Sequence, residues 1–128
     1  MFTIADLEDV HDRLGAAATL PEYLCELNAM GVARVDSFLW DGHSEYFSEG
    51  GYRVVGPATH ESLVVAGAVS PDQLREHLQR HSRGESSYVE MSKGLAASGI
   101  AKWTFDTKRM TISYCDAAGN EVLVEETR

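Results

Sequence analysis

One short stretch of the chain carries side chains whose types and spacing are suited to chemistry. Asp41, His43 and Glu45 alternate with other residues, and alternate side chains of an extended strand share one face. A carboxylate raises the basicity of a neighbouring imidazole, so this group could act in general acid–base catalysis. Its nitrogen and oxygen atoms could equally bind a divalent metal. A surface turn at Asp41–Gly42, with His43 in a local hydrogen bond, is the interpretation that the sequence favours.

Aromatic residues border this group and indicate a binding surface between residues 40 and 52. The candidate binding residues are Trp40, Asp41, His43, Glu45, Tyr46 and Tyr52. A second set of rings could wall a small-ligand pocket between the two halves of the chain, namely Trp40, Phe47, Tyr52, Trp103 and Phe105. Burial in the core is the favoured role for these rings, because aromatic residues dominate burial in a small domain. No catalytic residue, metal-ligand set or cofactor is assigned.

Two further histidines have the spacing of a metal-binding helix. His77 and His81 lie four residues apart, as metal-binding histidines on one helix face do. Leu78 stands where a metalloprotease helix has glutamate. Three neighbouring arginines would repel a cation, namely Arg75, Arg80 and Arg83. We therefore expect a solvated helix face.

Length and composition indicate one ordinary globular domain over residues 1–128. The chain is 44% hydrophobic and 24% charged, with a net charge of -9, and such an acidic protein repels nucleic-acid backbones. No apolar run approaches the roughly 18 residues of a membrane helix, and no signal peptide is readable. Cys25 and Cys115 are distant and form no CxxC motif, which fits the cytoplasm.

The pattern of apolar residues and turn signals predicts helices and strands in two similar rounds. Thr3 with Asp6 and Ser87 with Glu90 predict helix starts, as Pro21 and Ser70–Pro71 do. The first helix is expected to end between residues 15 and 18. The predicted strands cover 32–39, 44–47, 52–55, 100–106, 110–115 and 121–125, with a further extended segment possible at 60–66. The fold class is α+β: a single compact domain with antiparallel strands covered by helices.

A direct comparison of the two rounds predicts an internal duplication of an ααβββ unit. At a constant offset of 68, residues 27–55 share seven identities with residues 95–123. The identities include the helix-stopping glycines Gly31 and Gly99 and the strand tyrosines Tyr46 and Tyr114. The halves would cover about 1–66 and 70–126. Residues 40–45 depart most from their counterparts, which singles them out as functional candidates.

Three segments of the sequence resemble one known family. They are Asp41-Gly42-His43-Ser44-Glu45-Tyr46-Phe47, residues 98–103 and the ending at 118–126. Together they are similar to the YdfO/YbcV-like family of small bacterial and prophage-encoded proteins of unknown function, sometimes labelled phage envelope proteins. The resemblance implies a compact α+β domain and no established activity.

These observations favour a non-enzymatic cytoplasmic binding or regulatory module. It would act on a protein partner or a small-molecule ligand through the Trp40–Tyr52 surface, as a monomer or homodimer, without contact to nucleic acid or membrane. One alternative is a small metal-dependent or acid–base enzyme that uses Asp41, His43 and Glu45. Another alternative is a structural phage-related component.

Overall fold

The computed structural model describes residues 2–15 and 19–127. They form two helices followed by three strands, and this order then occurs a second time. The helices are α1 (Ile4–Leu14), α2 (Leu20–Ala29), α3 (Pro71–Ser82) and α4 (Tyr88–Ala97). The strands are β1 (Arg34–Phe38), β2 (Ser44–Phe47), β3 (Arg53–Val55), β4 (Ile100–Asp106), β5 (Thr111–Asp116) and β6 (Glu121–Glu126). The predicted α+β class and the predicted order of elements are confirmed.

The helix boundaries follow the local signals in the sequence. Thr3 and Ser87 each accept a hydrogen bond from the backbone N–H three residues on, and the acidic side chains there complete both capping boxes. α1 ends at Leu14. Its expected end extended to residues 16–18, which lie outside the described residues. Residues 60–66 contain no strand, so the possible extended segment there does not join the sheet.

The six strands form one antiparallel sheet in the order β3-β2-β1-β4-β5-β6. The two halves therefore meet at the β1–β4 pair. Asp36 of β1 lies directly opposite Thr104 of β4, the residue 68 positions later. Strand order and the β1–β4 register are thus symmetric about this pair, while the duplication itself stays a prediction.

The helices pack in two pairs on one face of the sheet. α1 contacts α2 and α3 contacts α4, and a buried cluster underlies each pair. Val35 belongs to the first cluster and Trp103 to the second, and Phe105 packs against both. Because Val35 lies opposite Phe105 and Ser37 opposite Trp103, these side chains share one sheet face. The opposite face carries Asp36 and Thr104.

None of the helices in residues 2–15 and 19–127 combines the length and apolar character needed to cross a membrane.

Candidate functional site

The β1–β2 hairpin places the predicted site residues on two different faces of the sheet. Tyr46 lies opposite Val35, which faces the helices, whereas Glu45 lies opposite Asp36, which faces away from them. Asp41 and His43 lie on the same side of the hairpin as Glu45, because His43 is hydrogen-bonded to both carboxylates. Asp41 and His43 lie in the turn before β2 begins at Ser44, so hydrogen bonds and not strand alternation join them to Glu45, on the face away from Tyr46.

Asp41, His43 and Glu45 converge into one hydrogen-bonded network. His43 Nδ1–H donates to Asp41 Oδ1 over 2.6 Å, and His43 Nε2–H donates to Glu45 Oε2 over 3.0 Å. The backbone N–H of His43 also donates to Asp41 Oδ1, over 2.9 Å. Arg53 on β3 donates to the second oxygen of Glu45 from Nη2 over 2.8 Å and from Nε over 2.9 Å. The network therefore ties the β1–β2 turn to the edge strand.

The pKa shifts of the three titratable groups in this network each favour the charged form. Burial opposes protonation of His43, but its hydrogen bonds to Asp41 and Glu45 outweigh that effect and raise its pKa. Burial likewise opposes ionisation of Asp41, yet the backbone and ring N–H groups of His43 lower its pKa. The bond from His43, followed by that from Arg53, lowers the pKa of Glu45 despite some burial. Because both ring nitrogens of His43 are hydrogen-bonded to carboxylates, neither is free to accept a further proton or bind a metal.

The described residues contain no cluster of side chains suited to a metal ion. No group of three or more His, Cys, Asp or Glu side chains in residues 2–15 and 19–127 is placed to hold a metal ion. His77 packs against Gly94 of α4, while His81 Nδ1 lies 3.1 Å from the carbonyl oxygen of Ser86. Both histidines are half-buried. This face is therefore less solvated than expected, because it packs partly against α4 and the loop that joins α3 to α4.

The two aromatic candidates at the ends of the Trp40–Tyr52 segment have different roles. Trp40 is 43% exposed and lies beside Phe38 and His43, with ring centroids 4.7 and 5.7 Å away. The hydroxyl of Tyr52 donates to the carbonyl of Phe2 over 3.1 Å, and the two rings meet edge to face. Tyr52 therefore anchors the N-terminal segment, whereas Trp40 faces solvent.

A cavity of about 820 Å³ opens on the other face of the sheet, between the two helix pairs. We call it the central cleft. All four helices contribute to its walls, and β1, β2, β4 and β5 form its floor. Six aromatic side chains line it: Tyr23, Tyr46, Tyr88, Trp103, Phe105 and Tyr114. The small-ligand pocket expected between the halves thus includes Trp103 and Phe105, but Trp40, Phe47 and Tyr52 lie outside it.

The hydroxyl groups of the cleft are neutral hydrogen-bonding groups. Burial, together with neighbouring tyrosines, raises the pKa of Tyr23. Burial likewise raises the pKa of Tyr46, and burial followed by the nearby Glu125 carboxylate raises that of Tyr114. Ser37 and Ser44 form a hydroxyl pair 2.8 Å apart at the cleft floor. The floor therefore combines apolar rings with uncharged donors and acceptors, as small-molecule sites commonly do.

Two buried nitrogen atoms beside Tyr88 find no hydrogen-bond partner among the described residues. They are Trp103 Nε1 and His60 Nε2, and their rings lie 6.1 and 6.3 Å from the ring of Tyr88. Trp103 is only 5% exposed. An unsatisfied buried donor of this kind costs about 1–3 kcal/mol, which makes it unusual in a native protein. The indole N–H beneath the cleft floor is thus closed off from solvent and leaves its hydrogen bond unmade among the described residues.

Sequence reasoning missed Tyr23 and Tyr88 as site residues. Both lie near the starts of helices, at positions that read as part of an apolar stripe. Tyr114 was visible only as the repeat counterpart of Tyr46. The sequence did offer one sign of a shared role: the two halves have tyrosine at the equivalent positions 46 and 114. In the structure both tyrosines lie on the helix-covered face of the sheet.

The fold and the cleft define an α+β domain with a single antiparallel sheet and a ligand-sized cavity between two helix pairs. A family model described as a protein of unknown function (DUF1398) matches residues 8–126, and the chain belongs to this family. No curated protein matches the chain. The YdfO/YbcV-like naming and the phage label are more specific than this family assignment, and they stay predictions.

Proposed function

We propose that the protein is a non-enzymatic binding module that holds a small organic ligand in the central cleft. The observation that carries this proposal is the cleft itself, with its floor of aromatic rings. Its volume of about 820 Å³ lies within the roughly 300–1,000 Å³ range of small-molecule sites.

Binding is favoured over catalysis because the predicted acid–base group lies outside the cleft. The two histidines that line the cleft, His11 and His81, share no hydrogen bond with a carboxylate among the described residues. The Asp41–His43–Glu45 network is on the opposite face of the sheet, and its imidazole is bonded at both nitrogens. The cleft floor contributes tyrosine hydroxyls with raised pKa values, which are weak acids and remain protonated at neutral pH. The Trp40–Tyr52 segment takes part in the proposed site through Ser44 and Tyr46.

The two tryptophans of the chain provide a direct test by NMR. Trp103 lies in the cleft and Trp40 on the opposite, exposed face, so their indole N–H signals report the two faces separately. Three aromatic probes of similar size would be titrated: naphthylmethylammonium, naphthalenemethanol and naphthoate. We expect at least one probe to shift the Trp103 signal, with the Trp40 signal unchanged. The variant Trp40→Phe assigns the two signals.

A variant that narrows the cleft supplies the matched control. Gln79 is exposed on α3 and lines the cleft, whereas Gln73 is exposed on the same helix and does not. Gln79→Trp should weaken binding of the probe about tenfold or more, while Gln73→Trp should leave it unchanged. If no probe moves the Trp103 signal, or if both variants behave alike, the proposed function is wrong.

A further inference from the structure

The charged residues that line the central cleft are strongly unequal in sign. Glu8 and Asp12 reach it from α1, and Glu125 reaches it from β6, where it lies opposite Ile112 on the helix-covered face. Arg75 of α3 is the cation among these lining residues, and His11 and His81 complete the titratable groups of the helix walls. Three carboxylates therefore face one guanidinium. This imbalance produces a negative potential that the low-dielectric walls of a cleft concentrate.

The two α1 carboxylates that line the cleft, Glu8 and Asp12, form no ion pair with the described residues. Glu8 and Asp12 are four residues apart on one helix, where like charges destabilise each other. In the part of the chain that the structure describes, the ion pair of α1 joins Arg13 to Asp9 instead, and no ion pair joins Glu8 or Asp12. A bound cation would relieve this repulsion, so the wall is complementary to positive charge.

The rings of the cleft favour the same sign of charge. The faces of tryptophan and tyrosine attract cations through their quadrupoles, and this attraction strengthens where water is excluded. Five of the six cleft rings are of these two types.

We infer that the central cleft selects an organic cation: an amine or quaternary ammonium group on an aromatic or apolar body. This inference rests on the proposed function and deepens it. The aromatic floor binds the body of the ligand, and the carboxylates of α1 and β6 face its charge. A ligand with a carboxylate or phosphate in place of the ammonium group would meet repulsion from the same side chains.

The three naphthalene probes test this inference, because they share a ring system and differ in charge. We expect naphthylmethylammonium to bind at least tenfold more tightly than naphthalenemethanol, and naphthoate to bind most weakly. Added salt should reduce the preference for the cation, since it screens exposed charges. Binding of all three with equal affinity, or tighter binding of naphthoate, would overturn the cation inference and leave the proposed function standing. Binding of none would overturn the function itself.

Paired charge variants separate the cleft carboxylates from the general acidity of the protein. The double variant Glu8→Gln with Asp12→Asn removes two charges from the cleft. The double variant Glu22→Gln with Glu26→Gln removes two exposed charges from α2, where neither residue lines the cleft. We expect only the first pair to lower the cation preference, by about fivefold or more. An equal loss in both would show that the net charge of -9, and not the cleft, attracts the cation.

Discussion

Thr104 Oγ1 donates a hydrogen bond to Asp36 Oδ1 over 2.9 Å, across the boundary between the two halves of the chain. The two residues are directly opposed in the β1–β4 pair and stand 68 positions apart. Asp36 is only 7% exposed, and a buried carboxylate needs bonded partners. This bond therefore joins the halves at the position about which the sheet is symmetric.

Removing the donor of this bond should destabilise the domain. Thr104→Val leaves Asp36 without its hydroxyl partner, so we expect the free energy of unfolding to fall by about 1–3 kcal/mol. Urea denaturation would measure the loss. Thr104→Ser keeps the hydroxyl and is the matched control, with a smaller loss expected. Equal losses in the two variants would assign the effect to packing and not to the hydrogen bond.

The His43 network should make stability depend on pH in a defined direction. Because the folded-state pKa of His43 is raised, its contribution is fully present below the unfolded value of about 6.5 and is lost as pH rises through the folded value. Because the pKa values of Asp41 and Glu45 are lowered, their contribution is present above about pH 4.3 and is lost on acidification. The network is thus strongest between these limits.

The comparison of wild type with His43→Gln tests this pH window. We expect the difference in free energy of unfolding to be larger at about pH 5.5 than at about pH 9, and to reach about 1–2 kcal/mol at the lower pH. Urea denaturation at both pH values measures it. An NMR titration of the His43 ring should give a midpoint above about 6.5. A difference that does not change with pH would contradict the charged network.

Gly31 and Gly99 occupy the same position in the two halves but differ in their surroundings. Both have a positive φ, 97° and 92°, which costs a residue with a side chain about 1–2 kcal/mol. A Cβ at Gly31 would meet open space, whereas one at Gly99 would lie 2.6 Å from the carbonyl oxygen of Ala68. We expect Gly99→Ala to cost at least about 1 kcal/mol more than Gly31→Ala, because overpacking adds to the backbone strain.

Chemical denaturation of the two alanine variants under identical conditions checks this difference. Gly31→Ala serves as the control for the backbone conformation alone. Equal losses would show that the segment around Ala68 moves aside without cost.

Gly94 permits the close contact between α4 and α3. A Cβ at this position would lie 2.5 Å from His77 Nδ1 and 2.6 Å from His77 Cγ. Gly94→Ala should therefore be destabilising, since overpacking at about 1–3 kcal/mol exceeds the gain in helix propensity of about 1 kcal/mol.

The same substitution should change sign when His77 is first removed. In a His77→Ala background the contact is gone, so Gly94→Ala should be neutral or stabilising through helix propensity. A double-mutant cycle by thermal unfolding measures the coupling. Additive effects of the two substitutions would contradict the proposed contact.

The fold was predictable because its signals are local. The capping boxes at Thr3 and Ser87 depend on residues three apart, and the glycines at 31 and 99 stop helices through their own backbone conformation. The convergence of Asp41, His43 and Glu45 was also predicted from their close spacing, but the turn before β2 and its hydrogen bonds, not strand alternation, bring them together. The full set of bonds in this group was not predictable, because the bonds of Glu45 to His43 and to Arg53 form only in the folded structure.

The sequence by itself therefore determined the helices, the strands and the local polar group, because each arises from neighbours in the chain. The central cleft was decided by the tertiary structure alone. Tyr23, Tyr88 and Tyr114 belong to three different elements, and the antiparallel β1–β4 register that closes the sheet at its centre brings them to one cavity. The contacts between side chains that are distant in the sequence leave no periodic pattern in it. A tyrosine that lines a cavity therefore has the same sequence pattern as one that fills the core.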